Sequence, residues 1–210
     1  MNSIDTLPNV NIQSQGLVSE KFLNLDIKTF WQACYWVKNL PYGFNLNNEN
    51  SLILFEENRG TCITKHGIIA RLAQELELEI YKNLGFYQLN DDIVTGVNAI
   101  LQVHGLNFIP QTHCFLEYGS YRVDLTEGNC NGKNKTIENY DFVIRVNPDL
   151  TYKEEEQYYI NYLKQYFSIE PKLAEIGIPT ILQLLETCNQ QFKYQCSILS
   201  SRSSPAFVTP

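Results

Sequence analysis

Apolar positions along this chain change period several times, and each change marks the edge of an element. Between residues 26 and 39, Phe30, Ala33, Cys34 and Val37 share one helical stripe that continues to Leu40, with Asp26 as N-cap and Pro41 as the stop. An Asn-rich loop containing Gly43 follows, then a short apolar run at 51–55. Ile68, Ile69, Leu72, Ala73 and Leu76 set the phase of a second helix, expected from Cys62 to about Glu77; Gly60 supplies the turn before it and Thr61 a capping hydroxyl. Residues 78–87 alternate as a strand. Residues 91–105 return to helical spacing through Ile93, Val97, Ile100, Leu101 and His104, with Gly105 in a C-cap role, and read as an insertion covering a site.

After the break at Ile109-Pro110, two alternating runs at 111–118 and 121–126 flank Gly119-Ser120, the signature of a two-residue hairpin turn of the II′ kind. That register sets Tyr118 opposite Tyr121, Glu117 opposite Arg122, Phe115 opposite Asp124 and His113 opposite Thr126. One face is then apolar throughout (Cys114, Leu116, Tyr118, Tyr121, Val123, Leu125). The other brings His113 and Asp124 together as diagonal neighbours about 7 Å apart at the backbone. Glu117 and Arg122 form a cross-strand ion pair in this register.

Residues 127–133 are loop, and 140–146 a strand with Phe142, Ile144 and Val146 on one face. A helix over 151–167 buries Tyr159, Ile160, Leu163 and Phe167, its Glu154-Glu155-Glu156 run belonging at the electropositive helix start. A last helix runs from Pro179 to about Cys196. Four segments result: an N-terminal arm at 1–26 packed by Leu17, Phe22 and Leu25, a core at 27–147, a helical extension of the same domain at 148–196 and a tail at 197–210. The fold class is α+β, a helix packed on an antiparallel sheet with extra C-terminal helices.

Composition narrows the function. The 210 residues suffice for one core, and 44% apolar with 19% charged residues is globular. A formal charge of −7 argues against a phosphate-backbone binder, so nucleic acid is not an expected partner. Residues 1–19 have neither a cationic start nor an apolar run, and nothing reaches about 18 consecutive apolar residues, so no membrane partner and a cytoplasmic location are expected. The six cysteines (Cys34, Cys62, Cys114, Cys130, Cys188, Cys196) form no C-x-x-C pair and read as reduced thiols.

Three groups stand out chemically. Cys62 opens a helix, where unpaired N–H groups and the positive dipole end favour thiolate. His113 can take and return a proton, and Asp124 can hold the imidazole. The Cys62 N–H offers one oxyanion donor, with Gln32, Tyr42 and Asn45 as alternatives for the second. A metal site built from Cys62, His66, His104, His113 and Asp124 is the rival reading, although no zinc framework matches its spacing.

The motifs Trp36-Val-Lys-Asn-Leu-Pro-Tyr-Gly43, Arg59-Gly-Thr-Cys62, Thr112-His113-Cys-Phe-Leu-Glu and Tyr121-Arg-Val-Asp124-Leu-Thr126 resemble the transglutaminase-like superfamily of papain-type folds over residues 28–127. The resemblance implies Cys62 as nucleophile, His113 as general base and Asp124 as orienting carboxylate. It further implies acyl transfer or hydrolysis of an amide or thioester, without a cofactor, on a peptide, protein or small acyl substrate. Two features depart from it: the Cys114-Phe115 pair after His113, and the 91–106 segment. An arylamine N-acetyltransferase-like acyltransferase and an inactive member serving as a binding scaffold are the alternatives.

Overall fold

The structure is a computed structural model that describes residues 1–47, 49–127 and 131–202, the last ten of these as backbone only. It is α+β: a four-stranded antiparallel sheet carries helices contributed by both ends of the chain. No helix among the described residues is long and apolar enough to cross a membrane.

The N-terminal segment is more built than an arm. A 3₁₀ turn at Ile4–Thr6 and helix α1 (Leu17–Asn24) bury Ile4, Leu7, Val18 and Phe22, and Asn2 bridges to Val123. Leu17 and Leu25, expected inside, are exposed, because the helix turns Val18 and Phe22 inward instead. Helix α2 (Phe30–Asn39) starts at Thr29, not Asp26. Thr29 accepts from the Gln32 N–H and Gln32 answers to the Thr29 N–H, a capping box, while Asp26 has φ of 59° and lies in the preceding turn. The run at 51–55 becomes the short helix α3 (Ile53–Glu57).

Helix α4 (Cys62–Glu75) is the spine. Its buried positions pack on strands β1 (Ile80–Leu89) and β2 (Ile109–Tyr118), and it joins two apolar clusters. Ile68, Ile69 and Leu72 lie with the N-terminal helices, whereas Cys62 and Ile63 lie with Leu84, Phe86 and the C-terminal helices. Gly60 has no left-handed φ, so the sharp turn expected of it is not its role. A Cβ there would fall 2.5 Å from Thr64 Oγ1 and 3.1 Å from Leu54, and its backbone exchanges hydrogen bonds with Pro41 and Gly43. Thr61 makes no capping bond; its hydroxyl meets that of Tyr152 at 3.2 Å.

The expected helix at 91–105 contracts to α5 (Val97–Gln102), with Gly105 at φ 62° closing it. Strand β2 begins earlier than the Ile109-Pro110 break implied. Pro110 sits opposite Gln88 near the strand's start, where its missing N–H costs least. The hairpin to β3 (Tyr121–Val123) has the expected register, Tyr118↔Tyr121 and Glu117↔Arg122, with Gly119 at φ 56°. Pairing stops at Val123, so the expected partners Phe115–Asp124 and His113–Thr126 are not ladder pairs. The Glu117–Arg122 ion pair does not form either: Glu117 takes Asn83 and Arg145, while Arg122 lies over the Phe115 ring.

Strand β4 (Phe142–Arg145) pairs with β1 on the far edge, giving the order β3-β2-β1-β4. Thr151 and Glu154 cap α6 (Tyr152–Tyr166), followed by α7 (Pro171–Ile176) and α8 (Ile178–Arg202). Helix α8 extends through residues 197–202, placed above in the tail; residues 203–210, with the Cys130 loop position, lie outside the described residues.

Gly67 marks the closest approach of α4 to its surroundings: a Cβ there would sit 2.5 Å from the Pro148 carbonyl, which also accepts from Lys82 Nζ. Gly67→Ala should therefore lower the unfolding free energy by about 2 kcal/mol, read as a reduced urea midpoint. An unchanged midpoint would mean that the Pro148 segment is free to move aside.

Candidate active site

The hairpin's ending builds the site. Beyond Val123 the chain leaves the ladder, and Asp124 Oδ1 accepts from the Thr126 N–H at 2.8 Å and the Thr126 hydroxyl at 2.7 Å. This local turn gives Asp124-Leu-Thr126 its physical reason: the threonine satisfies one oxygen of a carboxylate whose side chain is wholly buried. The other oxygen, Oδ2, accepts from His113 Nε2 at 2.8 Å, and Lys133 Nζ approaches it at 3.4 Å.

His113 reaches that carboxylate from β2 with its Nε2–H, so Nδ1 is the nitrogen left to serve the thiol. Cys62 arrives from the other side, at the first position of α4, and is in hydrogen-bonding contact with Cys114 and His113. Hydrogen bonding from the Cys114 thiol does most to hold the Cys62 thiol well below its ordinary value; burial opposes this, and the charge and hydrogen bond of His113 support it. For His113, burial and Lys133 act against the charged ring, but Asp124 and Cys62 outweigh them and raise it to about 9. Burial penalises the Asp124 charge too, yet His113 and Lys133 keep it well below the usual carboxylate range. The three shifts thus all act toward thiolate, imidazolium and carboxylate.

His66, one turn after Cys62, has both ring nitrogens engaged. Nδ1 donates to the Cys62 carbonyl at 2.7 Å, and Nε2 accepts the Leu125 N–H at 2.8 Å. The second bond requires a lone pair on Nε2, so the 3.4 Å approach of that atom to Asp124 Oδ1 is packing and not a second ion pair. His66 therefore ties the helix that Cys62 opens to the residue after Asp124, with no lone pair left for a metal. Among the described residues, no three His, Cys, Asp or Glu side chains are grouped to hold a metal ion.

The three candidates for a second oxyanion donor separate cleanly. Gln32 accepts the Lys28 and Thr29 N–H groups with its Oε1 in the α2 cap and does not line the cavity that holds Cys62. Asn45 donates to Glu57 and the Arg59 carbonyl and accepts from Thr64, fixing the loop before Cys62. Tyr42 is the one beside the thiol, held against Gly60 by a β-bridge and placed by Lys65, whose buried Nζ donates to the Lys38 and Leu40 carbonyls.

Cys62, His113 and Tyr42 open into a cavity of about 670 Å³. Its far wall comes from α6 and α8, through Tyr152, Glu155, Tyr159, Leu185 and Asn189 among others. The 91–106 segment contributes no lining residue, so it is not the cover that the sequence implied; it packs beneath α8, where Gln191 donates to the Thr95 carbonyl. Sequence reading also missed Glu155. Glu154 is the capping residue of the Glu run, whereas Glu155 faces the cavity and accepts from the Thr112 hydroxyl at 2.5 Å. The signal was present in its spacing from Tyr152 and Tyr159, three and four residues away on one helix face. Burial and the Cys62 charge push Glu155 up to about 7, against Thr112, Lys82 and His113.

Compared with known proteins, the chain matches no family model, no curated protein and no solved structure.

Alkylation by iodoacetamide reads the thiolate directly. Cys62 should react at neutral pH faster than Cys34 and Cys114, whose thiols burial pushes up. His113→Ala should slow Cys62 roughly tenfold at pH 7 by removing the imidazolium. Equal labelling of all the cysteines in the wild-type protein would contradict the charge pair.

Proposed function

We propose that the chain is a transglutaminase-like cysteine enzyme with a papain-like core, performing thiol-mediated acyl transfer or hydrolysis of an amide or thioester through Cys62, His113 and Asp124. The observation that carries this reading is the unbroken chain of contacts from Asp124 through His113 to a depressed Cys62 thiol, opening into a cavity. A core thiol kept only for packing has no use for a buried imidazole–carboxylate pair, which is costly to bury without function.

In the proposed reaction the Cys62 thiolate attacks the acyl carbon and a C–S bond forms. The oxyanion faces the Cys62 N–H, at a helix start that no side chain caps, and the Tyr42 phenol. His113 gives its Nδ1 proton to the leaving amine or thiol, and the acyl-enzyme remains. Water or another nucleophile then loses its proton to His113 as it attacks the thioester, and the thiolate departs. Asp124 keeps the ring oriented throughout and stabilises it whenever it carries the proton. No step requires a cofactor. The open cavity beside the thiol favours this reading over that of an inactive scaffold.

A screen of acyl-thioester, amide and glutaminyl donors tests the proposal. At least one should be turned over, and Cys62→Ala and Asp124→Asn should each reduce the rate by roughly 10³-fold or more. Turnover that survives Cys62→Ala would place the chemistry elsewhere.

A further inference from the structure

Glu155 is an ionisable group of the cavity that the proposed reaction does not use, and the one anchored beside His113. It stands on α6 across from the N-terminus of α4, half-buried, with one carboxylate oxygen held by the Thr112 hydroxyl. Thr112 precedes His113 on β2, so the carboxylate is anchored to the strand that carries the base and is not a mobile surface side chain. Among the described residues, no Lys, Arg or His forms an ion pair with it.

The charges around it are of both signs. Cys62 faces it from α4, His113 from β2 and Lys82 from β1, and Lys133, Glu156 and Glu186 complete the charged groups at the cavity. Lys133 is committed to Asp124 and Glu127, and Lys82 to the Pro148 carbonyl. Among the described residues, Glu155, Glu156 and Glu186 thus form no ion pair. At the mouth, Phe44 and Tyr152 lie 6.1 Å apart, and aromatic faces attract cations as well.

Resting on the reading of Cys62 as the nucleophile, we propose that Glu155 is a specificity-determining residue that makes the cavity select positively charged over negatively charged substrates at the thiol. The selection is set by pH. Burial and the neighbouring thiolate raise Glu155 to about 7, so its carboxyl is neutral on the acid side of neutrality and an anion on the alkaline side. His113, raised to about 9, keeps its proton across the same window and does not contribute to the change.

Two methanethiosulfonates of similar size test this on the intact chain, one ending in trimethylammonium and one in sulfonate. In each, the Cys62 thiolate attacks the sulfenyl sulfur, a disulfide forms and methanesulfinate leaves, so the thiolate fraction cancels when the two rates are divided. Peptide mass spectrometry isolates the rates at Cys62. In the wild-type protein the cation-to-anion rate ratio should rise about tenfold between pH 6 and pH 8. Glu155→Gln, whose amide oxygen retains the Thr112 bond, should hold the ratio constant across that range, and Glu186→Gln should leave the rise in place. A flat ratio in the wild-type protein, which needs no variant to fold, overturns the inference, as does a rise that persists in Glu155→Gln. Labelling that follows the expected pattern without acyl turnover would sink the proposed reaction alone; turnover with a flat ratio would sink the charge selection alone.

Discussion

One buried carboxylate, that of Asp124, is the constraint around which this end of the molecule is arranged. Its side chain has no solvent contact, and an unpaired charge in such a place costs several kcal/mol. It is tolerable only because the Thr126 N–H and hydroxyl, His113 and Lys133 surround it. Each partner imposes a position. Thr126 requires the chain to leave the ladder after Val123; His113 must sit on the facing strand at the level of Gly85; Lys133 closes the loop over it. His66 then fastens the Leu125 N–H to the Cys62 carbonyl, so α4 is registered against the same turn. The thiol is placed by what satisfies the acid.

That arrangement moves a proton within the protein. His113 has its folded value raised from 6.5 to about 9, so its stabilisation is complete below 6.5 and is lost as pH rises through 9. Cys62 is the opposite case: its value is depressed well below 9.0, so its contribution grows as pH rises from the folded value toward 9. The two slopes have opposite sign over the same neutral window. Forming the thiolate–imidazolium pair therefore takes up little net proton from solvent, and the pair can be held at neutral pH without making the fold strongly pH-sensitive there. Asp124 adds the usual acid limb, with stability lost as pH falls below the carboxylate range.

The parts of this that the sequence made legible are those governed by local rules. Gly119-Ser120 specified the hairpin register to the residue, and the helical stripe after Cys62 set α4 within two residues of its end. His113 and Asp124 were placed together because a strand has period two. What failed did so where a distant group outweighed local propensity. Thr61 gave up its capping role to Tyr152, ninety-one residues away, and Glu117 turned from Arg122 to Arg145 on a strand whose pairing with β1 no local signal fixes. Gly60 was identified as necessary for the wrong reason, since the need lies in the approach of Leu54, Thr64 and the Pro41–Gly43 backbone. The cavity wall was invisible for the same cause: α6 and α8 read correctly as amphipathic helices, but which cluster their apolar faces join depends on the whole packing.

The two clusters on either side of α4 divide the labour. The N-terminal cluster, with Phe22, Phe30, Val37, Ile69 and Leu72, holds the helix body without touching the thiol. In the C-terminal cluster, Leu84, Tyr159, Leu163, Ile181 and Cys188 position the helices that face Cys62. The segment at 91–106 extends that support, since Val97 and Leu101 pack in the same cluster and α5 lies against α8. A change in the first cluster acts on stability through the core alone, whereas a change in the second also shifts the wall that carries Glu155. Cys62 and His113 thus belong to a helix and a strand fixed by both halves of the core, while Glu155 and its neighbours in the cavity wall belong to helices fixed by one. The Asp124–His113–Cys62 contacts rest on the more constrained part and the cavity wall on the less constrained part, so the wall can vary while that geometry stays in place.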